Sequence, residues 1–292
     1  MVNRGYERVF GGEGLTVGAA FPLTGAREER PDVARELALA ERVEGLGYDA
    51  LWARDVPTYG QTFDPWTWLS RVAGRTESVA LGTASVVLPL RHPLHVAKSA
   101  ASLDRLSGGR VVLGVASGDR PPEYGAFGVE EDTRGAAFRE SVAVLRAAWT
   151  ESYPELETRW GRLDGTVDVV PKPTAGDLPL VVTGNSRQSR EWIAAHADGW
   201  LFYHLPADTL REYLDDWGAR TDAPFATTCT VELADDPDAG PERVNQGFRA
   251  GAAWFREYLD DLESWGVDHL IVSVRGEDRA AAFDEFAASV LA

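Results

Sequence analysis

The chain has 292 residues, 44% hydrophobic and 26% charged, a globular composition that excludes the disordered and collagen-like classes. Its formal net charge is −17, and Lys98 and Lys172 are the only lysines, so no basic field exists to attract nucleic acid or an anionic membrane. Cys229 is the only cysteine, which excludes an intrachain disulfide, and no apolar run reaches the ~18 residues of a membrane span.

The predicted elements alternate. An apolar run over 15–21, closed by Pro22, predicts the first strand. Val33, Leu37, Ala40, Val43 and Leu46 keep helical spacing over 31–46, with Pro31 suited to a first turn and Gly47 to the position past the end. Strand 48–52, helix 66–75 and strand 79–88 follow, then helix 93–106, stopped by Gly108-Gly109. Strand 111–116, helix 134–152, strand 180–183, helix 188–196, strand 200–203, helix 208–217 and strand 225–233 continue the pattern. Val244, Phe248, Phe255, Leu259 and Leu262 mark one long amphipathic helix ended at Gly266, before strand 269–274 and helix 279–291. Eight strands, each followed by a helix and several nearly continuous in apolar residues, predict an α/β fold, a single (β/α)8 TIM barrel over 1–292. Residues 1–14 form an N-terminal extension, and 153–176, too long for a simple connection, predicts an excursion outside the barrel wall.

Reactive residues of such a barrel come from the carboxyl ends of its strands. Those ends carry Arg54-Asp55, Ala84-Ser85, Ser117-Gly118-Asp119-Arg120, Gly184-Asn185-Ser186-Arg187 and Tyr203-His204. The run 181–189 is the most specific: strand, glycine, small polar residues, then a helix, which suits an anion site built on backbone N–H groups. An ordinary helix cap by Asn185 or Ser186 has the same composition. Asp55 beside Arg54 suits an acid/base group tuned by its neighbour and, as the commoner case, a structural ion pair. His204 suits proton transfer or a histidine satisfied in the core. Trp52, Trp66 and Trp68 cluster around the second strand and suit an apolar pocket wall. His92 and His95 lack carboxylate companions, and no Walker A, H-E-x-x-H or Cys-x-x-Cys run occurs, so no metal is expected. Cys229 reads as core.

The run 79–93, VALGTASVVLPLRHP, and its continuation 97–115, AKSAASLDRLSGGRVVLGV, resemble the bacterial luciferase-like flavin monooxygenases. The carriers are LGT, LP-x-x-HP, the Leu103-Asp104 pair and S-x-G-R at 107–110, in fixed order. Residues 48–55 and 181–199 extend the likeness, and 116–121 with 189–194 bring it nearest a luciferase-type oxidoreductase group. The resemblance implies a barrel, usually a homodimer, binding reduced FMN or the deazaflavin coenzyme F-420 at its carboxyl end. It implies Ala84 and Ser85 behind the isoalloxazine ring across a non-proline cis peptide. It also implies Ser117 and Gly118 near the phosphate, and Gly184, Asn185, Ser186 and Ser189 in the phosphate loop. Luciferase has arginine where Ser117 aligns, so Arg120 or Arg187 has to supply that charge. It has a catalytic histidine where this chain has Arg54-Asp55, leaving Asp55, Arg54 and His204 as catalytic candidates. The implied function is a flavin-dependent oxidoreductase, a two-component monooxygenase that takes reduced FMN from a separate flavin reductase and, with O2, oxygenates a small organic substrate. The alternatives are F-420-dependent hydride transfer and flavin binding without turnover. A soluble cytoplasmic location is expected, since residues 1–8 do not read as a signal peptide.

The acidity is uneven: −5 falls on residues 1–204 and −12 on 205–292, so an anionic ligand is expected in the first two thirds. Dense carboxylate and scarce lysine read as adaptation to a high-salt cytoplasm. Self-repulsion then predicts a melting temperature that rises from dilute buffer to molar potassium chloride. A flat or falling curve in a thermal scan rejects that reading.

Overall fold

A computed structural model describes residues 2–21, 32–58 and 62–292. Its organising element is a closed ring of eight parallel strands: β1 (Thr16–Ala20), β2 (Ala50–Ala53), β3 (Ala80–Thr83), β4 (Val111–Ala116), β5 (Leu180–Thr183), β6 (Gly199–Phe202), β7 (Phe225–Leu233) and β8 (His269–Arg275). Each pairs with the next, and β8 pairs back onto β1, with Thr16 opposite His269. The single (β/α)8 barrel expected from the sequence is therefore the observed fold. The strands read as unbroken apolar runs because helices cover their outer face while side chains fill the inside. Pro22 and Pro31, invoked above as boundary signals, lie outside the described residues.

The interior layer is small-residue packing around one large ring. Ala50, Ala80, Val112, Val181, Leu201, Ala226 and Ile271 surround the fully buried Trp52. Gly18 and Gly82 flank the indole. A Cβ on Gly82 would lie 2.3 Å from Trp52 Cε3, and one on Gly18 would lie 2.7 Å from His269 Nε2. Trp52 Nε1 donates to His269 Nε2 at 2.9 Å, which leaves Nδ1 of His269 as the donor toward Thr16 Oγ1 at 2.6 Å. Thr16 passes its own hydrogen to the Val9 carbonyl at 2.7 Å. These bonds satisfy the indole N–H, both imidazole nitrogens and the Thr16 hydroxyl, as a low-dielectric interior requires.

Val9 belongs to a helix the sequence reading did not anticipate. Arg4–Phe10, within the N-terminal extension, closes the amino end of the barrel. Asn3 caps it, accepting from Tyr6 N–H, and also donates to the Val111 carbonyl at 3.0 Å. The helix is too short to be conspicuous by periodicity; Val9 and Gly5 act through tertiary packing, Gly5 against the backbone of Arg110.

The run that carries the family resemblance proves largely architectural. The buried Arg110 guanidinium donates to the carbonyls of Ala73, Thr76, Val79 and Ser107 and to Thr76 Oγ1, knotting two connections together at the amino end. Asp104 accepts from Thr174 N–H at 2.6 Å and from Asn3 Nδ2 at 3.3 Å. His92 caps the helix Pro93–Ser107, its Nδ1 accepting from Leu94 N–H.

Two expectations are corrected. The strand expected over 79–88 ends at Thr83; the Ala84–Ser85 peptide is cis, residues 86–87 pair again with β4, and Leu88–Leu90 turns into a 3-10 segment. The helix expected from Val244 begins only at Ala252 and runs to Trp265. Val244 and Phe248 instead lie in a hairpin, Glu242–Val244 with Gly247–Ala250, whose second strand pairs with the outer end of β7. Gly247 lies so close to Thr230 that a Cβ would sit 1.9 Å from its carbonyl oxygen, a contact that spacing of apolar residues does not report. A helix Pro121–Ala126 fills part of the connection after β4. Within 153–176 the strands Glu155–Thr158 and Gly161–Asp164 pair as an antiparallel hairpin. No helix among the described residues is long and apolar enough to cross a membrane.

Burial pushes the His269 imidazole down to about 3, so the folded chain keeps it neutral where the unfolded chain, near 6.5, takes up a proton. Stability present above pH ~6.5 is therefore lost as pH falls toward 3, at about 1.4 kcal/mol per pH unit. Urea unfolding at pH 7 and pH 5 should show a loss of about 2 kcal/mol from this group. His269→Gln should be less stable at pH 7 but have a flatter profile; an unaltered slope in that variant would remove His269 as the cause.

Candidate functional site

The carboxyl ends of the strands open onto a cavity of about 730 Å3, within the usual range for small-molecule and cofactor sites. Trp52, Ala20, Leu201 and Ile271 form its apolar floor. Ala84 and Ser85 form one wall. Ser85 Oγ is hydrogen-bonded to Thr183 Oγ1 across the barrel mouth, and Thr83 Oγ1 donates to the Gly114 carbonyl at 2.8 Å. Gly114 has no room for a side chain, since a Cβ would lie 1.8 Å from the Thr83 oxygen. The backbone of β3 and β4 is thus pressed together beneath the 84–85 step.

A second wall is the loop after β5. Gly184, Ser186 and Arg187 all have positive φ, of 57°, 44° and 59°. For serine and arginine this left-handed conformation is uncommon, and it persists where surrounding bonds enforce it. Ser186 supplies them: its Oγ donates to the Thr183 carbonyl at 2.8 Å and accepts Ser117 N–H at 3.2 Å, tying the ends of β4 and β5 together. Among the described residues the N–H groups of Asn185, Ser186 and Arg187 have no protein acceptor, and neither does the Arg187 guanidinium. Gly118, at φ 87°, fits between Val87 and Tyr124, where a Cβ would lie 2.8 Å from the Tyr124 hydroxyl oxygen. Arg134 lies over the Tyr124 ring at 5.3 Å, and its Nε is buried without an acceptor. Successive free N–H groups beside two guanidinium groups make this end suited to an anion. A second cavity, of about 280 Å3, adjoins it and is lined by Arg134, Arg139 and Arg187.

Asp55 also lines the cavity, but its partner is Arg91 and not the adjacent Arg54. Arg91 grips both carboxylate oxygens at 2.8 Å, Val87 N–H adds a third bond, and Arg91 reaches on to Asp64. Asp64 caps the helix Pro65–Ala73, and both carboxylates hold the Arg91 guanidinium well above its ordinary range against the effect of burial. Asp55 is thereby a fixed, paired carboxylate. Arg54 turns into the cavity, where burial first, then Arg120 and Arg275, push its guanidinium below the ordinary value.

The structure brings Arg54, Asp55, Ala84, Ser85, Ser117, Gly118, Gly184, Asn185 and Ser186 to this one cavity. It leaves two candidates out. Ser189 caps the helix Arg190–His196, accepting from Trp192 N–H at 3.2 Å, because that helix starts two residues later than its apolar pattern suggests. His204 packs edge-on against Phe248 at 5.1 Å, with Nδ1 buried and unpartnered, and burial lowers its basicity. Trp68 is likewise core, stacked on Phe21 and Phe63, rather than pocket wall. Cys229 is buried in β7, its thiol pushed up to about 12 by burial. Arg91 and Arg134 were missed: each stands on a helical connection far from Asp55 or Ser186 in sequence, and only the LPLRHP run hinted at the first. No group of three or more potential metal ligands occurs among the described residues.

Removing Arg91 leaves the buried Asp55 carboxylate unpaired, which typically costs about 3–5 kcal/mol. Arg91→Met should therefore lower the chemical-denaturation stability by that order, whereas Arg54→Met should change it by less than about 0.5 kcal/mol. Equal losses would return Arg54 to the role of Asp55's partner.

Comparison with known proteins bears on the whole barrel. Residues 15–288 match the luciferase-like monooxygenase family. An uncharacterized protein of Mycobacterium tuberculosis is 36% identical over 241 residues, 80% of this chain and 78% of that one. An F420-dependent glucose-6-phosphate dehydrogenase of Intrasporangium calvum is 27% identical over 314 residues, covering 86% and 91%. The crystal structure of monooxygenase RslO1 from Streptomyces bottropensis superposes with a TM-score of 0.79 at 21% identity, covering 95% of this chain and 99% of that one. The chain belongs to the luciferase-like monooxygenase family.

Proposed function

We propose that the cavity binds a reduced isoalloxazine cofactor, FMN, and that the chain is the oxygenating component of a two-component flavin monooxygenase acting on a small organic substrate. The observation that carries this reading is the union, in one cavity, of a flat wall at Ala84-Ser85 with an anion-suited loop at 184–187. These residues fit a ring joined to a phosphate: Arg187, Arg134 Nε and the N–H groups of 185–187, all without an acceptor among the described residues, would face the phosphate. The phosphate end also lies in the less acidic part of the chain.

When bound, the reduced ring supplies two electrons and, with O2, the oxygen-transfer chemistry. The chain's own part is binding and enclosure. Gly118 and Gly184 let backbone approach the ligand without a side chain between them. The Ser117–Ser186 bond holds the β4 and β5 ends at a set separation, so the loop need not reorganise on binding. Trp52, Val87 and Phe202 present apolar surface that excludes water. A separate flavin reductase supplies reduced FMN in this reading, the cytoplasm is the compartment that supports it, and a homodimer is the assembly the resemblance implies.

A second reading, F-420-dependent hydride transfer, is favoured by one feature: the adjoining arginine-lined cavity offers room for an anionic tail beyond the phosphate. The M. tuberculosis relative carries no assigned activity, while the I. calvum relative is F420-dependent. Separate titrations with reduced FMN and reduced F-420 decide between them. Consumption of NAD(P)H and O2 with a flavin reductase, above the reductase-only rate, separates a monooxygenase from a flavin-binding protein without turnover.

Ser186→Asp places a carboxylate in the loop, and aspartate tolerates the left-handed backbone there. FMN affinity should fall at least tenfold, about 1.4 kcal/mol. Unchanged affinity in the folded variant moves the phosphate elsewhere. Arg139→Ala should weaken F-420 and leave FMN unaffected; equal weakening of both rejects the tail assignment.

A further inference from the structure

Among the described residues, Arg54 is a cationic group on the β2 side of the cavity that no other side chain or backbone group engages. Among the described residues it has neither a hydrogen-bond nor an ion-pair partner, although it lines the cavity. Two of the carboxylates that line the cavity, Asp55 and Glu123, are committed elsewhere. Asp55 is held by Arg91, and Glu123 accepts from Thr58 Oγ1 at 2.8 Å and faces Arg120 at 3.9 Å. Asp119, the third, lines the cavity beside Tyr203, whose hydroxyl burial first and then this carboxylate shift upward. Arg120 and Arg275 add like charge around Arg54, and Arg275 itself has Glu232 at 3.4 Å.

A lone guanidinium facing a cavity, crowded by two others, in a chain of net charge −17, is an electrostatic arrangement that an anion completes. The phosphate-suited loop does not account for it. That loop follows β5, and Arg54 follows β2, three strands away around the ring. Between them lies the Ala84-Ser85 wall, and on the Arg54 side the remaining wall is neutral and polar: Thr228, Thr230 and Ser273.

We propose that Arg54 is a specificity-determining residue and that the substrate is a small organic carboxylate, its anionic group held on the Arg54 guanidinium and its apolar part directed to the floor at Trp52 and Ile271. A carboxylate matches the planar fork of the guanidinium with two parallel bonds, where an amide or alcohol of the same shape offers one at most. This assignment rests on the cavity being the flavin site, with the ring wall between the two anion ends.

The test uses the full chain and two probes of equal shape, 3-phenylpropionate and 3-phenylpropionamide, followed by calorimetric titration. The wild type should bind the carboxylate at least tenfold more tightly than the amide. Arg54→Met should abolish that preference while leaving FMN affinity unchanged, and Arg54→Lys should restore it in part. Arg187→Met should keep the preference and weaken FMN. Absence of a carboxylate preference in the wild type overturns the proposal, and so does a preference that survives Arg54→Met or disappears with Arg187→Met. Failure of FMN to bind the wild type, with the carboxylate preference intact and dependent on Arg54, overturns the flavin reading and leaves the anion assignment standing.

Discussion

The barrel closes around an indole. Trp52 occupies the interior of a ring whose other inward residues are mostly small, and it needs both Gly18 and Gly82 to lie flat against it. Its single polar atom is satisfied by His269, and the bond passes through Thr16 to the carbonyl of Val9 on the closing helix. One hydrogen-bonded line therefore links β2, β8, β1 and the N-terminal helix. The same indole is the floor of the cavity, so the packing that seals the amino half of the barrel also sets the depth of the site at its carboxyl end. Close packing leaves no continuous way to shift one without the other.

Charge is distributed to serve that site. The protein carries a large negative excess, yet its cavity presents two guanidinium groups with no partner among the described residues, Arg187 beyond β5 and Arg54 beyond β2. Two of the cavity's carboxylates, Asp55 and Glu123, are tied up. Asp55, next to Arg54 in sequence, is clamped by Arg91, which Asp64 steadies in turn. Buried acidic groups with firm partners cost less than unpaired ones, and pairing removes them from competition for a bound anion. Two separated guanidinium groups in one cavity are what the proposed cofactor phosphate and the proposed carboxylate substrate each rest on.

The likeness to luciferase-type proteins is strongest where the residues hold the scaffold together. Arg110 and Asp104 are spent on carbonyls and N–H groups at or near the amino end of the barrel, and His92 on the cap of the helix Pro93–Ser107. The same run delivers Ala84-Ser85 and Arg91 to the carboxyl end. A motif that reads as chemistry is, in this segment, mostly the means by which chemistry elsewhere is positioned.

Much of the fold was legible because it depends on local period. Strands at 111–116, 180–183 and 225–233 appear at their expected bounds, since their apolar runs are flanked by turn residues and covered on both faces. The strand-end residues 117–118 and 184–186 were legible for the same reason, since knowing where a barrel strand ends says which residues face the mouth, whereas 84–85, read as lying within a strand that runs to 88, stood out only through the family resemblance. Distance in sequence hid the rest. The choice of Arg91 over Arg54 as the partner of Asp55 depends on two connections meeting across the barrel mouth. The demotion of His204 and Ser189 depends on Phe248 and on where a helix begins. The helix Arg4–Phe10 and the hairpin at 242–250 exist because Arg110 and Thr230 offer backbone for glycine to pack on. Hydrophobic period reports which face of a segment is buried, so the sequence by itself determined the barrel and the ring of residues at its mouth. Which charges pair there is settled by contacts between segments far apart in the chain, and only the tertiary structure decided them.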